Sequence, residues 1–391
     1  MEKVVIVSAV RTAVGSFQGH YSTTPAAQLG ASVIKAAVAN AQIKSTEVDE
    51  VIMGQVLTAG AGQAPARQAA LYAGLSHSTH CLTINKVCGS GLKAVMLACD
   101  SIRLGQSQVV VAGGQENMTL APHLLENSRT GYRMGTQSIV DSMIKDGLWD
   151  PYNNFHMGNA AEICSRDFSF SREAQDAFAL ESYKKAQKAI SSGLFKNEIT
   201  PVLLETKKGT VSIETDEEPG KANFDKIPQL KPAFEKNGTI TAANASKIND
   251  GAAALVLMSE TEAKKRGLKA LATVLSYSTF SQEPKYFTTA PVGAIKKSIA
   301  AAGLTLADID HFEINEAFAN VTMAAQKSLE IPMEKINLHG GAIALGHPIG
   351  ASGARLLTTL THSLHTNRLK RGLATLCIGG GEAVSLIIER A

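Results

Sequence analysis

The run Asn85-Lys86-Val87-Cys88-Gly89-Ser90-Gly91-Leu92 sets a cysteine where an apolar strand gives way to a helix. Leu92, Val95, Met96, Cys99 and Ile102 recur at helical spacing and Gly105 offers a stop, so the first helical residue is expected at Cys88 or its neighbour. A thiol there meets unpaired backbone N–H groups and the positive end of the helix dipole, both of which favour thiolate. The glycines flanking Ser90 admit a substrate close to the backbone. These are the surroundings of a nucleophile, whereas Cys81, Cys99 and Cys164 read as small buried hydrophobes.

Three later segments carry groups that could serve such a nucleophile. Asn315-Glu316-Ala317-Phe318-Ala319 follows the apolar run Ile309 to Ile314, a pattern that a capped helix start would also produce. Between His339 and Arg355 lie five glycines and the dipeptide His347-Pro348. The proline biases His347 toward extended backbone, and an imidazole is the usual proton carrier near neutral pH. Ala374 to Glu382 reads as a buried strand running into a glycine turn, with Cys377 at its end. On its own, Cys377 reads as a core thiol. His362 and His365 lie three apart on a predicted helix with no third ligand, and read as a solvated face with no metal site. The phosphate-cradling glycine loop, the Gly-x-Ser-x-Gly elbow and the paired Cys-x-x-Cys motif are all missing.

Groups so far apart need a scaffold that brings them together, and the chain carries a copy of itself. Leu29-Gly30-Ala31, a helix, then Asp49 and a strand recur as Val292-Gly293-Ala294, a helix, then Asp310 and a strand. Ser90-Gly91 and Ser352-Gly353 each open an amphipathic helix at a separation one residue larger than that of the two aspartates, and Gly251 to Met258 resembles Gly381 to Ile388. The expected class is α/β: two strand–helix halves, each a largely parallel sheet covered on both faces, related by a pseudo-twofold. Residues 1–118 plus 244–268 form the expected first half, 269–391 the second, and 119–243 an insertion. The insertion is rich in lysine and proline: Lys207, Lys208, Lys221, Lys226, Lys231 and Lys236 surround Pro219, Pro228 and Pro232. A helix is expected there from Ser171 to Ser192, with Ala174, Ala177, Phe178, Ala186, Ala189 and Ile190 on its apolar stripe.

With 391 residues, 45% of them hydrophobic, the chain supports two cores. A net charge of +3 is too mild to point to nucleic acid. Five scattered cysteines argue for a reducing compartment, and the N-terminus enters a strand directly without a leader. A cytoplasmic location away from membranes is the expectation, since no apolar run is long enough to span one.

These motifs resemble those of the thiolases, most closely the short-chain acetyltransferases of that family. The likeness runs end to end and takes in His156-Met157-Gly158 and Asn244 to Ala253. It implies a duplicated fold in five layers, α-β-α-β-α, with an inserted loop domain. It also implies a ping-pong reversible Claisen condensation of two acetyl-CoA to acetoacetyl-CoA and CoA. In that chemistry Cys88 is the acyl-accepting nucleophile, His347 takes its proton, and Cys377 moves the α-proton of the second thioester. His347 and a water held by Asn315 stabilise the enolate, and the N–H groups of Cys88 and Gly379 stabilise the tetrahedral oxyanion. The resemblance places CoA against His156, Met157, Ser246, Ala317 and Phe318. Lys221 stands near where the family often has an arginine, so it is expected at the CoA head group. No permanent cofactor and no metal are implied; the substrates are CoA thioesters. Residues 119–145 resemble the family's tetramerisation loop, which implies a homotetramer. Phe287 would narrow the acyl pocket if it points inward. Rival readings are a 3-ketoacyl-CoA thiolase of fatty-acid β-oxidation, a β-ketoacyl synthase, which expects two histidines, and a non-catalytic CoA- or lipid-binding relative.

Overall fold

A computed structural model describes residues 2–207 and 209–391; Lys208 of the insertion and Met1 lie outside the described residues. The first strand, Val4–Arg11, is buried on both faces, as its mostly apolar sequence requires, with Ser8 and Arg11 buried as well. In the first half the sheet order is Val4–Arg11, Asn249–Ser259, Val109–Asn117, Glu50–Gly54, His80–Ile84. In the second half it is Ala272–Ser281, Glu382–Arg390, Arg371–Ile378, His311–Ile314. The duplication therefore holds strand for strand over the first four positions of each order. Beside His311–Ile314, where the first half has His80–Ile84, the described residues make only a single bridge from Phe312 to Ile336.

Both halves are more mixed than the expected parallel sheet. The last strand of each runs antiparallel to both its neighbours. The reason is visible in the second half, where Ile378 pairs with Glu382 across Gly379-Gly380-Gly381. A three-residue connection can only return antiparallel. Gly380 and Gly381 take φ of +92° and +83°, which suits glycine alone. In the first half the equivalent pair is Asn117 and Asp250. The insertion emerges where the second half has its glycine turn.

Helix Ser90–Arg103 and helix Ser352–Thr366 share one core with strands of both halves, and so form a central layer. Helix Ala26–Asn40 packs on the outer face of the first sheet, and Ala290–Ala301 with Ala319–Leu329 on that of the second. The five layers are α-β-α-β-α. Three residue pairs, Val4–Val274, Val5–Thr273 and Ile6–Ala272, join the two sheets edge to edge.

The central helices touch at their N-termini. A Cβ on Gly353 would stand 2.3 Å from the backbone N of Leu92, and one on Gly91 would stand 2.8 Å from that of Ala354. Any side chain at either glycine would push the helix starts apart, and with them the residues that precede each start.

Inside the insertion, helix Arg172–Ser191 is capped by Ser171 Oγ, which accepts from the Ala174 N–H. Its buried face is Gln175, Asp176, Ala179, Ser182, Tyr183, Ala186 and Ala189, while Ala174 and Ala177 are exposed. The expected apolar stripe is thus rotated over the first turns, because Asp176 and Ser182 are drawn inward to accept from Asn244 and donate to Glu316. His362 and His365 also differ from expectation. They are partly buried, each with Nε2 against a backbone carbonyl, Ala9 at 2.8 Å and Leu271 at 2.7 Å.

Candidate active site

The turn carrying Cys88 is held by its own polar side chains. The Asn85 carbonyl oxygen accepts from the Val87 N–H at 2.9 Å, while Ser90 Oγ accepts from the Lys86 N–H at 2.8 Å and donates to the Val87 carbonyl at 2.7 Å. These bonds keep Val87 at φ +46°, a conformation that β-branched residues rarely adopt. The helix itself begins at Ser90, two residues beyond Cys88. That offset corrects the expected start and weakens the dipole's hold on the thiol. Burial pushes the Cys88 thiol up to about 11, outweighing the opposite pull of the nearby Gly379 and Cys88 N–H groups. Cys88 therefore rests as a thiol, contrary to the sequence expectation, and needs a base.

His347 shares a cavity wall with Cys88. Its Nδ1 lies 2.6 Å from Ser352 Oγ, and Ser352 donates its single proton to the Pro348 carbonyl at 2.9 Å. Nδ1 must then be the protonated nitrogen, which leaves Nε2 with a free lone pair. Burial, helped by the charge of Arg355, pushes the imidazole down to about 3, so it is neutral at physiological pH. Its backbone N–H donates to Asn249 Oδ1 at 2.9 Å, fixing the loop to the first half's last strand.

Asn315 follows strand His311–Ile314 and is fully buried. Its Nδ2 lies 3.5 Å from His347 Nε2, and its Oδ1 has no partner among the described residues. A buried acceptor without a protein partner suits a bound water. Cys377, one residue before the end of Arg371–Ile378, is buried, and desolvation raises its thiol well above the ordinary value. The charge of a Cys88 thiolate raises it further, so the two sulfurs are electrostatic neighbours across the two halves.

Cys88, His347 and Gly379 line one cavity of about 250 Å³. His156, Met157, Ser246, Ala317 and Phe318 share its wall. Phe287 is also there, 2% exposed and edge-on to Phe318 at 6.3 Å between centroids, so it does point inward. Lys221 is the exception. Its ammonium donates to Glu217 and to Ser16 Oγ, both at 2.8 Å, and its side chain borders a separate cavity. Glu217 lies only four residues before Lys221, but Ser16, which completes the arrangement, is remote in sequence.

Several contributors escaped sequence reading. Phe234 stacks on His156 at 4.8 Å between centroids, and its position in a lysine-rich loop gave no periodic signal. Glu116 accepts from the N–H groups of Val56, Leu57 and Gly350, tying the His347 loop to the first half. A charged residue inside an otherwise apolar strand was the signal available for it.

A duplicated five-layer α/β fold whose two halves bring a cysteine and a histidine to one cavity, with a second cysteine buried among the apolar residues of its wall, defines a thiolase. Residues 4–261 match the thiolase N-terminal domain family and residues 268–390 the thiolase C-terminal domain family. The chain is 54% identical to the acetyl-CoA acetyltransferase of Cupriavidus necator, with all of both chains covered. It is 52% identical to the acetyl-CoA acetyltransferase of Escherichia coli and 50% to that of Pseudomonas aeruginosa, again over the full length of each. The chain belongs to the thiolase family.

Proposed function

We propose that this chain is an acetyl-CoA acetyltransferase that condenses two acetyl-CoA molecules reversibly to acetoacetyl-CoA and CoA. The observation that carries this reading is the unprotonated Nε2 of His347 on the same cavity wall as Cys88, with Gly379 on that wall too. Cys88 passes its proton to His347 Nε2 and attacks the first thioester. The N–H groups of Cys88 and Gly379 hold the oxyanion, each such donor worth about 2.7–4 kcal/mol in comparable sites. CoA leaves as the thiol with the proton of Cys377. The Cys377 thiolate then takes an α-proton from the second acetyl-CoA. Protonated His347 and the Asn315-bound water stabilise the enolate, which attacks the acetyl group on Cys88. The released Cys88 thiolate recovers its proton from His347, and both thiols are restored.

In this reading His156, Met157, Ser246, Ala317 and Phe318 hold the pantetheine arm, and no metal takes part. Residues 1–118 with 244–268 and residues 269–391 act as the catalytic halves, with 119–243 as the CoA-binding insertion. The segment 119–145 exposes Leu125, Met134 and Ile139, which supports its role in a homotetramer, a dimer of dimers. Five unpaired cysteines suit the reducing cytoplasm. Among the described residues no helix is long and apolar enough to cross a membrane.

The test is to mix the protein with labelled acetyl-CoA and map the label. Acetyl on Cys88 is expected, and thiolysis of acetoacetyl-CoA should exceed that of a 3-ketohexadecanoyl thioester. No label on Cys88 would revive a non-catalytic role, and preference for the long chain would make the protein a degradative thiolase.

A further inference from the structure

A second cavity of about 170 Å³ adjoins the catalytic one, walled by Tyr183, Ile227 and Leu230 among others. Lys247 is the residue common to both walls among the described residues. Its ammonium donates to the backbone carbonyls of Ala242 and Ala245 and lies 5.8 Å from the centre of the Tyr183 ring. An ammonium has three N–H donors, so one is left over. Among the described residues no carboxylate lies within ion-pair distance of it, Glu218 on the second wall included. Lys221, the other cation of that wall, is already committed to Glu217.

Lys247 is partly buried, its direct partners are neutral carbonyls and a ring, and Glu218 acts on it only from beyond ion-pair distance, so an anion beside it gains more than it would in water. Burial pushes Lys247 down to about 8, which keeps it mostly charged at neutral pH while marking the missing counter-charge.

We propose that Lys247 recognises the diphosphate of the CoA thioester at the junction of the two cavities. The inference rests on the thioester reading above. CoA runs from sulfur through pantetheine to the diphosphate and then to adenosine. With its sulfur at Cys88 and its arm in the first cavity, the diphosphate reaches the boundary as the chain leaves. The second cavity, walled by Tyr183, Ile227 and Leu230, takes the adenosine. The ligand's charge is thus met by Lys247 and not by Lys221.

The experiment measures binding of CoA, dephospho-CoA and pantetheine by calorimetry to the wild type, Lys247→Ala, Lys247→Met and Lys247→Arg. The methionine variant keeps the apolar stem and guards against collapse of the loop. Loss of the ammonium should weaken CoA and dephospho-CoA alike by about tenfold or more, as for one charge-assisted hydrogen bond. Pantetheine binding should not change, and Lys247→Arg should recover most of the loss. An equal loss for all three ligands would mean that the ammonium merely holds the Ala242–Ala245 carbonyls. A loss confined to CoA would mean a contact with the 3′-phosphate, and no loss would mean no contact; each of these overturns the proposal. Wild-type protein that neither binds CoA nor cleaves acetoacetyl-CoA would instead sink the thioester reading, and this inference with it.

Discussion

Ser352, the first residue of the second central helix, holds the imidazole of His347 across 2.6 Å and so decides which ring nitrogen faces the cleft. The hydroxyl can do this because its own proton is engaged by Pro348. In Ser352→Ala the tautomer loses its anchor while the apolar packing around the helix start is kept. The kcat of acetoacetyl-CoA thiolysis should fall on the order of tenfold, short of the roughly 10²–10⁴-fold that a positioned base contributes. KM and the melting temperature should stay close to wild type. An unchanged kcat would remove Ser352 from the mechanism.

Burial of Cys88 makes a prediction with a definite sign. The thiol sits up at about 11, so its thiolate fraction grows with pH through the whole neutral and mildly alkaline range. Alkylation by iodoacetamide, which brings no base of its own, should accelerate roughly tenfold per pH unit from 7 to 10. Turnover of the thioester should be nearly flat over pH 6–9, because neutral His347 takes the proton directly. An alkylation rate that levels off near pH 7 would mean a pre-formed thiolate.

Glu116 links the halves and titrates near neutrality. Burial raises its carboxyl to about 7, despite N–H donors from Val56, Leu57 and Gly350. The unfolded chain releases the same proton near pH 4.5. The folded state therefore binds the extra proton between these values, and its stability is full below the lower one and lost as pH rises through the upper. The swing is roughly 3 kcal/mol. In Glu116→Gln this component vanishes, so the stability difference from wild type, read by urea unfolding, should shift by about that amount between pH 4 and pH 8. Parallel curves for the two proteins would show that Glu116 does not titrate there.

Phe287 lies on the cavity wall edge-on to Phe318. Phe287→Ala should raise activity on 3-ketohexanoyl-CoA relative to acetoacetyl-CoA. It should also lower stability by about 3–5 kcal/mol, the usual result of emptying a buried aromatic site. Comparing kcat/KM for the two substrates checks this. An unaltered ratio would place the chain-length limit elsewhere.

Much of the molecule was legible in local patterns. Periodicity marked the two central helices, and the repeat of Ser90-Gly91 at Ser352-Gly353 predicted that they share one layer. Cys88 and His347 stood out because small residues and sharp turns cluster around them, whereas Asn315, Cys377 and Gly379 took their expected roles from the resemblance to the thiolases. Strand direction was less legible, since apolar runs look alike whichever way they pair; the antiparallel last strands follow from connection length.

What tertiary structure alone decided is electrostatic and orientational. The sequence places Cys88 near a helix start, but only folding determines how much water the thiol loses, and desolvation reverses the effect of the nearby N–H groups. Lys221 and Lys247 are equivalent as letters. One meets Glu217 and Ser16 in space, while the other is left at a cavity junction with carbonyls for company. The turned face of helix Arg172–Ser191 and the carbonyl-bound His362 and His365 have the same origin. Apolar burial is written in the spacing of residues along the chain, but a polar group's fate depends on partners that the chain brings from far away.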